Sequence, residues 1–168
     1  MMLEVALDAD EDWDSSTDWA ALAQAAAQAA IAESRYPALI DAERAVELSV
    51  RLTDEAQGRA LTAEWRGKDK PTNVLSFPLA EAEDLDEADT DGPELMLGDI
   101  VLAHGVCARE AEDKALPLPH HAAHLMVHGT LHLLGYDHHD DDAATDMEAR
   151  ETRALARLGI ANPYEDAA

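Results

Sequence analysis

Residues 124–139 constrain this chain more than any other stretch, because five of its eight histidines lie within these sixteen positions. His128 and His132 are four positions apart, which in a helix places both side chains on one face, one turn from each other. Gly135 follows three positions later, and glycine is the usual residue in the left-handed turn that ends a helix. The stretch therefore predicts a helix that carries two imidazoles and then turns back.

A third imidazole after this turn would complete three corners of a tetrahedral metal site and leave the fourth open to water or substrate, as in a catalytic zinc site. His138 and His139 both follow the turn, and spacing alone does not choose between them. Three neutral imidazoles would leave the ion its full double charge, so it could acidify bound water or polarise a phosphoryl oxygen. Zinc is the default metal, although imidazole ligands also accept nickel, copper or iron.

Other histidines of the segment compete with this pair. His124, His128 and His132 cannot all hold one ion from an unbroken helix, because the outer two are separated by about 12 Å of axial rise. The turn after His132 favours His128 and His132 as the pair, so His124 is predicted to be a supporting or packing residue. His120 and His121 lie near the predicted helix start and are predicted to be surface residues.

Gly129, directly after His128, bears on the class of reaction. A zinc peptidase helix of the H-E-x-x-H kind places its general-base glutamate at this position. The nearest downstream acid here is Asp137, on the predicted turn. Hydrolysis of an amide bond would need a glutamate from elsewhere in the fold, whereas a charged phosphodiester held by the cation remains consistent with the segment.

The charge of the chain restricts its partners. Twelve basic and 36 acidic residues give a net charge of −24, which repels phosphate and argues against non-specific nucleic-acid binding. Residues 81–94 hold eight acids and no base and predict a solvated, mobile loop. A third of all basic residues nevertheless lie within one segment of twelve positions: Arg59, Arg66, Lys68 and Lys70.

Three further arginines lie along one side of the last predicted helix, near its carboxyl end: Arg150, Arg153 and Arg157. Cations are favourable at the negative end of a helix dipole, which explains this placement. Contact with RNA is the alternative interpretation.

Local patterns predict the architecture. Strand patterns cover residues 3–7, 46–52, 73–77 and 98–103. Helical patterns cover residues 18–34, 53–67, 104–114 and 140–158, together with the histidine segment, which begins near Pro119. Strands and helices intermix without strict alternation, which indicates an α+β fold rather than a doubly wound parallel sheet.

The length of 168 residues predicts one domain, residues 1–160, followed by a C-terminal tail, residues 161–168. Cys107 is the only cysteine, so an internal disulfide is impossible, which fits a reducing cytoplasm. The sequence shows neither a signal peptide nor a membrane span, and we expect a cytoplasmic protein.

Three motifs together resemble those of the YbeY family of metal-dependent endoribonucleases. HGTLHLLGYDHH, at residues 128–139, resembles the metal-binding motif of the family. WRGKDKPTNVLSFP, at residues 65–78, resembles a second motif, and LGDIVLA, at residues 97–103, a third. The resemblance extends from about residue 45 to Leu158.

The resemblance implies a single α+β domain, with a small mixed sheet packed with helices. With the four strand patterns, the expected fold is a mixed four-stranded sheet with a metal site on the central helix and the following turn. The resemblance also implies one Zn²⁺ per chain, bound by His128, His132 and His138, and thereby favours His138 over His139.

The resemblance further implies cleavage of single-stranded RNA, in 3′-end maturation of 16S ribosomal RNA and in ribosome quality control. It assigns Arg66 a role in activity, and a guanidinium fork matches phosphate oxygens. Arg59, Lys68 and Lys70 would add local positive potential for RNA, or a ribosome-associated protein would bring the acidic chain to it. The alternative is a non-catalytic zinc protein of ribosome assembly.

Overall fold

The computed structural model describes residues 3–9, 13, 17–34, 36, 46–53, 74–78, 95–136 and 140–160. The strands are β1 (Leu3–Ala9), β2 (Val46–Thr53), β3 (Val74–Pro78) and β4 (Leu95–Ala103). The described helices are α1 (Trp19–Ala32), α2 (His104–Asp113), α3 (Leu118–Leu133) and α4 (Asp141–Arg157). All four predicted strands are confirmed, as are the predicted helices that fall within the described residues.

Two predictions about the segment after β2 have different outcomes. Thr53 is the last residue of β2 and not the first residue of a helix. The rest of the helix predicted for residues 53–67 lies outside the described residues, as do the acidic segment 81–94 and the tail 161–168.

The sheet has four strands in the order β1-β2-β4-β3. β1, β2 and β4 are parallel, and β3 pairs antiparallel with β4 at the edge. A parallel pair needs a crossover connection, which α1 supplies between β1 and β2. The expected mixed four-stranded sheet of an α+β fold is therefore confirmed.

β4 begins at Leu95, three residues before the predicted start. The pairing register shifts here, because Glu47 lies opposite Met96 and Leu48 opposite Gly98, which leaves Leu97 as an extra residue. Such a β-bulge breaks the alternation from which a strand is recognised. Gly98 has φ +143° at this bulge, a backbone conformation that residues with a side chain rarely adopt.

The core lies between the sheet and the helices. Val46, Leu48, Val50 and Leu52 present one face of β2 and are at most 2% exposed. α1 begins at an N-cap, Asp18, whose carboxylate accepts a hydrogen bond from the Ala21 amide at 3.0 Å. The many buried alanines of α1 are small enough to let it pack closely against α3.

α3 has well-defined ends. Pro119 lies in its first turn, where a missing N–H costs nothing. At the other end the amide of Tyr136 donates to the Leu131 carbonyl and that of Gly135 to the His132 carbonyl, both at 3.0 Å, which is a Schellman motif. Gly135 has φ +95°, so the predicted left-handed turn is confirmed. Within the described ranges no helix is long and apolar enough to cross a membrane.

Candidate metal centre

α3 is the central helix of the molecule, in contact with α1, α2, α4, β3 and β4. Its contact with the sheet is tight at Gly129, where an added Cβ atom would lie 2.9 Å from Cγ2 of Ile100. Real Cβ atoms essentially never lie this close to a neighbour, so a larger residue here would have to displace the Ile100 side chain. A glutamate in this position would collide with β4, which gives a physical reason for the absence of the peptidase-type general base.

His128 and His132 lie on one face of α3, as their spacing predicts. Their Nε2 atoms are 2.9 Å apart, with ring centroids separated by 4.5 Å, and both side chains are partly exposed. Zinc–nitrogen bonds of about 2.0 Å at a tetrahedral angle separate two nitrogens by about 3.3 Å. The pair therefore fits a transition-metal ion after an opening of a few tenths of an ångström.

Glu151 is a member of this cluster that sequence reasoning missed. Its carboxylate is completely buried and lies between two histidines of α3. Oε1 contacts Nδ1 of His128, and Oε2 lies 3.2 Å from Nε2 of His124. The carboxylate thus approaches His128 through Nδ1, while Nε2 of the same ring lies next to His132.

α4 positions this carboxylate. Its buried residues are Met147, Glu151, Ala154 and Leu155, which share one helix face at spacings of three and four. An acid in the centre of an otherwise apolar helix face was therefore the one sequence feature that could have indicated a special role for Glu151. The partner histidines lie 23 and 27 positions away, so the sequence alone gave no indication of what the acid contacts.

His124 lies outside the converging pair, as predicted for a supporting residue. Its ring centroid is 6.5 Å from that of His128, and its Nε2 contacts Glu151. The prediction of surface residues is confirmed for His120, which is exposed. It is wrong for His121, which is 1% exposed.

His121 is buried because α2 packs against the first turns of α3. Its Nε2 lies 3.0 Å from a carboxylate oxygen of Glu110 on α2. Burial lowers the pKa of His121 below its ordinary value of 6.5, and the hydrogen bond with Glu110 partly opposes that effect. Burial also raises the pKa of Cys107, again on α2, to about 12, which keeps the thiol protonated and removes it from the candidate ligands.

The remaining predicted site residues lie outside the described part of the chain: His138, Arg59, Arg66, Lys68 and Lys70. Among the residues that are described, no group of three histidine, cysteine or acidic side chains is arranged to hold a metal ion. The structure thus brings together two of the three predicted ligands and says nothing of the third.

The three arginines of α4 hold the carboxyl end of α1. Arg153 and Arg157 contact the two oxygens of Glu33, at 3.0 and 2.6 Å, and Arg150 donates to the Glu33 backbone carbonyl at 2.7 Å. The guanidinium of Arg157, followed by that of Arg153, holds the pKa of Glu33 below 4.5, against the effect of burial. These contacts link two helices and give the arginines a structural role that the sequence did not predict.

Comparisons with known proteins agree with the motifs. A sequence profile described as Endoribonuclease YbeY matches residues 8–159. A protein named Endoribonuclease YbeY from Sphingopyxis alaskensis is 54% identical over 166 residues, covering 98% of this chain and 99% of its own. One of the same name from Rhizorhabdus wittichii is 52% identical over 164 residues, covering 97% of each chain.

A solved structure supports the fold. The solution structure of TM1509 from Thermotoga maritima superposes with a TM-score of 0.54 at 18% identity, covering 96% of this chain and 99% of the other. At this level of identity the similarity supports the architecture alone.

Proposed function

This chain belongs to the Endoribonuclease YbeY family and is therefore a metal-dependent endoribonuclease, and we propose that it uses one zinc ion to cut single-stranded RNA. Its substrate is ribosomal RNA, which it processes in 3′-end maturation of 16S ribosomal RNA and in ribosome quality control. The observation that carries the proposal is the convergence of the Nε2 atoms of His128 and His132, 2.9 Å apart on the central helix.

We assign the ion three ligands, His128, His132 and His138. The family motif favours His138 as the third, and the Schellman motif that ends α3 at Tyr136 is consistent with a ligand from the segment that follows. The turn is held in place by Arg150, whose guanidinium carbon lies 5.0 Å from the centroid of the Tyr136 ring. When bound, the ion supplies a Lewis acid that polarises a phosphoryl oxygen and acidifies water.

Arg66 is the proposed catalytic residue outside the metal ligands. Its planar guanidinium can hold two oxygens of one phosphate, which stabilises the charge that develops during cleavage. Arg59, Lys68 and Lys70 are proposed to bind the RNA backbone, because a chain with a net charge of −24 needs local positive potential to hold phosphate.

Chain connectivity supports this proposal for Lys70. β3 begins at Val74 and contacts α3. Four residues span at most about 14 Å when fully extended. Lys70 is thereby joined through at most four residues to a strand that contacts the histidine-bearing helix, which supports its proposed role.

We propose that ribosome-associated proteins help to bring this acidic chain to RNA, and that it acts in the cytoplasm, where ribosomal RNA is processed. We also propose a single domain of residues 1–160 with residues 161–168 as its tail. Support comes from one shared hydrophobic cluster, to which β1, β2, β4 and all four described helices contribute.

The test is cleavage of a single-stranded RNA from the 3′ end of precursor 16S ribosomal RNA by zinc-loaded protein. His128→Ala and Arg66→Ala should each lose cleavage. Arg153→Ala, which removes an exposed arginine bound to Glu33, should retain it. Equal cleavage by all four proteins would show that the activity comes from a contaminant. Zinc binding without cleavage by the native protein would favour the assembly-factor alternative.

A further inference from the structure

We propose that Glu151 is a positioning residue of the metal centre, whose carboxylate fixes the ring of His128 so that Nε2 is presented to a divalent transition ion. The inference rests on the proposed metal site at His128 and His132 and adds a residue from another helix to it. That residue lies outside every motif from which the site was predicted.

The contacts determine the chemistry of the His128 ring. A carboxylate has only acceptor oxygens, so the ring nitrogen that contacts it must carry the hydrogen. Oε1 of Glu151 contacts Nδ1 of His128, which assigns the hydrogen to Nδ1. In a neutral imidazole the other nitrogen then keeps its lone pair, and this is Nε2, the atom 2.9 Å from Nε2 of His132.

The second oxygen fixes the carboxylate itself. Oε2 of Glu151 lies 3.2 Å from Nε2 of His124, one helical turn before His128. Because the carboxylate contacts two rings on the same helix, it cannot rotate without losing one of them. His124 therefore acts indirectly: it holds Glu151, and Glu151 holds His128.

The complete burial of Glu151 favours a role at the metal centre over a role in core packing. Glu151 is fully buried among the apolar residues Met147, Ala154 and Leu155 on its helix face. A buried carboxylate is costly unless it is paired, and apolar side chains of similar volume often replace buried charges without loss of stability. A cation on the far side of His128 would stabilise the negative charge, and the charge in turn would make His128 a stronger ligand.

Zinc affinity of the full-length protein tests the proposal. Glu151→Gln keeps the size of the side chain and removes the charge, and we expect it to weaken zinc binding by about 10- to 100-fold at fixed neutral pH. The affinity is measured by competition with a chromophoric chelator, and saturating zinc should still give the native stoichiometry. Glu148→Gln, an exposed glutamate on the same helix, is the matched control and should bind zinc as tightly as the native protein.

A double-mutant cycle separates positioning from a general structural role. If Glu151 acts through His128, Glu151→Gln should have little further effect on zinc affinity in the His128→Ala background. A mere cross-link between α3 and α4 would give the same loss in both backgrounds, which would overturn the proposal.

A second variant keeps the proposal testable if Glu151→Gln does not fold. Glu151→Asp keeps the charge but withdraws the carboxylate by one methylene, so that it can no longer reach both rings. With cobalt in place of zinc, we expect a changed visible absorption spectrum, because the ligand geometry around the ion changes. A native spectrum together with native affinity would overturn the proposal.

RNA cleavage distinguishes failure of this inference from failure of the proposed function. Native protein that cuts RNA with zinc, while Glu151→Gln binds zinc within twofold of native, would overturn the role of Glu151 alone. Native protein whose zinc affinity depends on Glu151 but that leaves RNA intact would overturn the nuclease assignment and support the role of Glu151.

Discussion

Two carboxylates tie α4 and its neighbours together, and they do so in opposite environments. Glu151 is fully buried and contacts two imidazoles of α3. Glu33, at the end of α1, contacts Arg153 and Arg157, whose side chains are 53% and 54% exposed. The exposed cluster resembles a surface ion pair, which contributes little to stability. The buried cluster is costly to form, and its position behind a proposed metal ligand gives a reason for keeping it.

The arginine-rich face of α4 and the histidine-rich face of α3 have different roles. The arginines of α4 are engaged with Glu33 and Asp146, so their charge is compensated locally. His128 and His132 of α3 instead converge through their Nε2 atoms, which can bind a metal ion. We therefore expect substitutions in the histidine cluster to change metal binding and activity, and substitutions in the arginine cluster to change stability slightly.

The largest expected effect is at His128. His128→Ala should reduce RNA cleavage by more than about 100-fold, because loss of a ligand should exceed loss of its supporting residue. The measurement is the initial cleavage rate at saturating zinc, with His120→Ala, an exposed histidine of the same helix, as the control. A rate for His128→Ala within tenfold of the native rate would remove the functional distinction between the two clusters.

The next largest effect is expected where α3 packs against β4, at Gly129. Gly129→Ala should destabilise the fold by about 1–2 kcal/mol, because the added methyl meets Cγ2 of Ile100 and overpacking outweighs the gain in helix propensity. Denaturant unfolding of the metal-free protein measures the change in the free energy of unfolding. Ile100→Ala should relieve the collision, so the double variant should lose less than the sum of the single losses. Strict additivity would contradict this account of Gly129.

A smaller effect is expected in the exposed cluster. Glu33→Gln should cost at most about 1 kcal/mol near neutral pH. The folded pKa of Glu33 lies below its ordinary 4.5, so the contribution of the carboxylate is complete above pH 4.5 and is lost as pH falls through the folded value. The stability difference between native protein and Glu33→Gln should therefore vanish in acid. A difference that persisted under those conditions would mean that charge is not its cause.

The smallest effect is a pH dependence from His121. Its pKa is lowered by burial, so the unfolded chain takes up the proton more readily than the folded one. Its contribution to stability is complete above pH 6.5 and decreases as pH falls from 6.5 toward the folded value. His121→Gln should flatten this part of the stability profile, whereas His120→Gln should not. Identical slopes for the two variants would show that other groups produce the dependence.

The sequence predicted those parts of the fold that depend on local pattern. The alternation from Val46 to Leu52 gave β2, and the glycines at 135 and 159 gave the ends of α3 and α4, where φ is +95° and +75°. The pair at His128 and His132 followed from helical spacing alone. The start of β4 did not follow, because the bulge at Leu97 interrupts the alternation.

Contacts between helices could not be predicted in the same way. The predicted surface position of His121 is wrong because α2 covers this side chain, and no local pattern shows that α2 packs there. Glu151 was missed because its partners lie on another helix, although an acid within an apolar stripe was visible in the sequence. Residues whose role is set by a distant element need the tertiary structure, even when their neighbours in the sequence are unusual.

The central claim is that His128, His132 and His138 together hold one ion. Native mass spectrometry of the protein after zinc loading and dialysis at neutral pH tests it most directly. The account predicts one zinc per chain in the native protein and in His139→Ala, and none in His138→Ala. Absence of zinc from the native protein, or its retention by His138→Ala, would contradict the account.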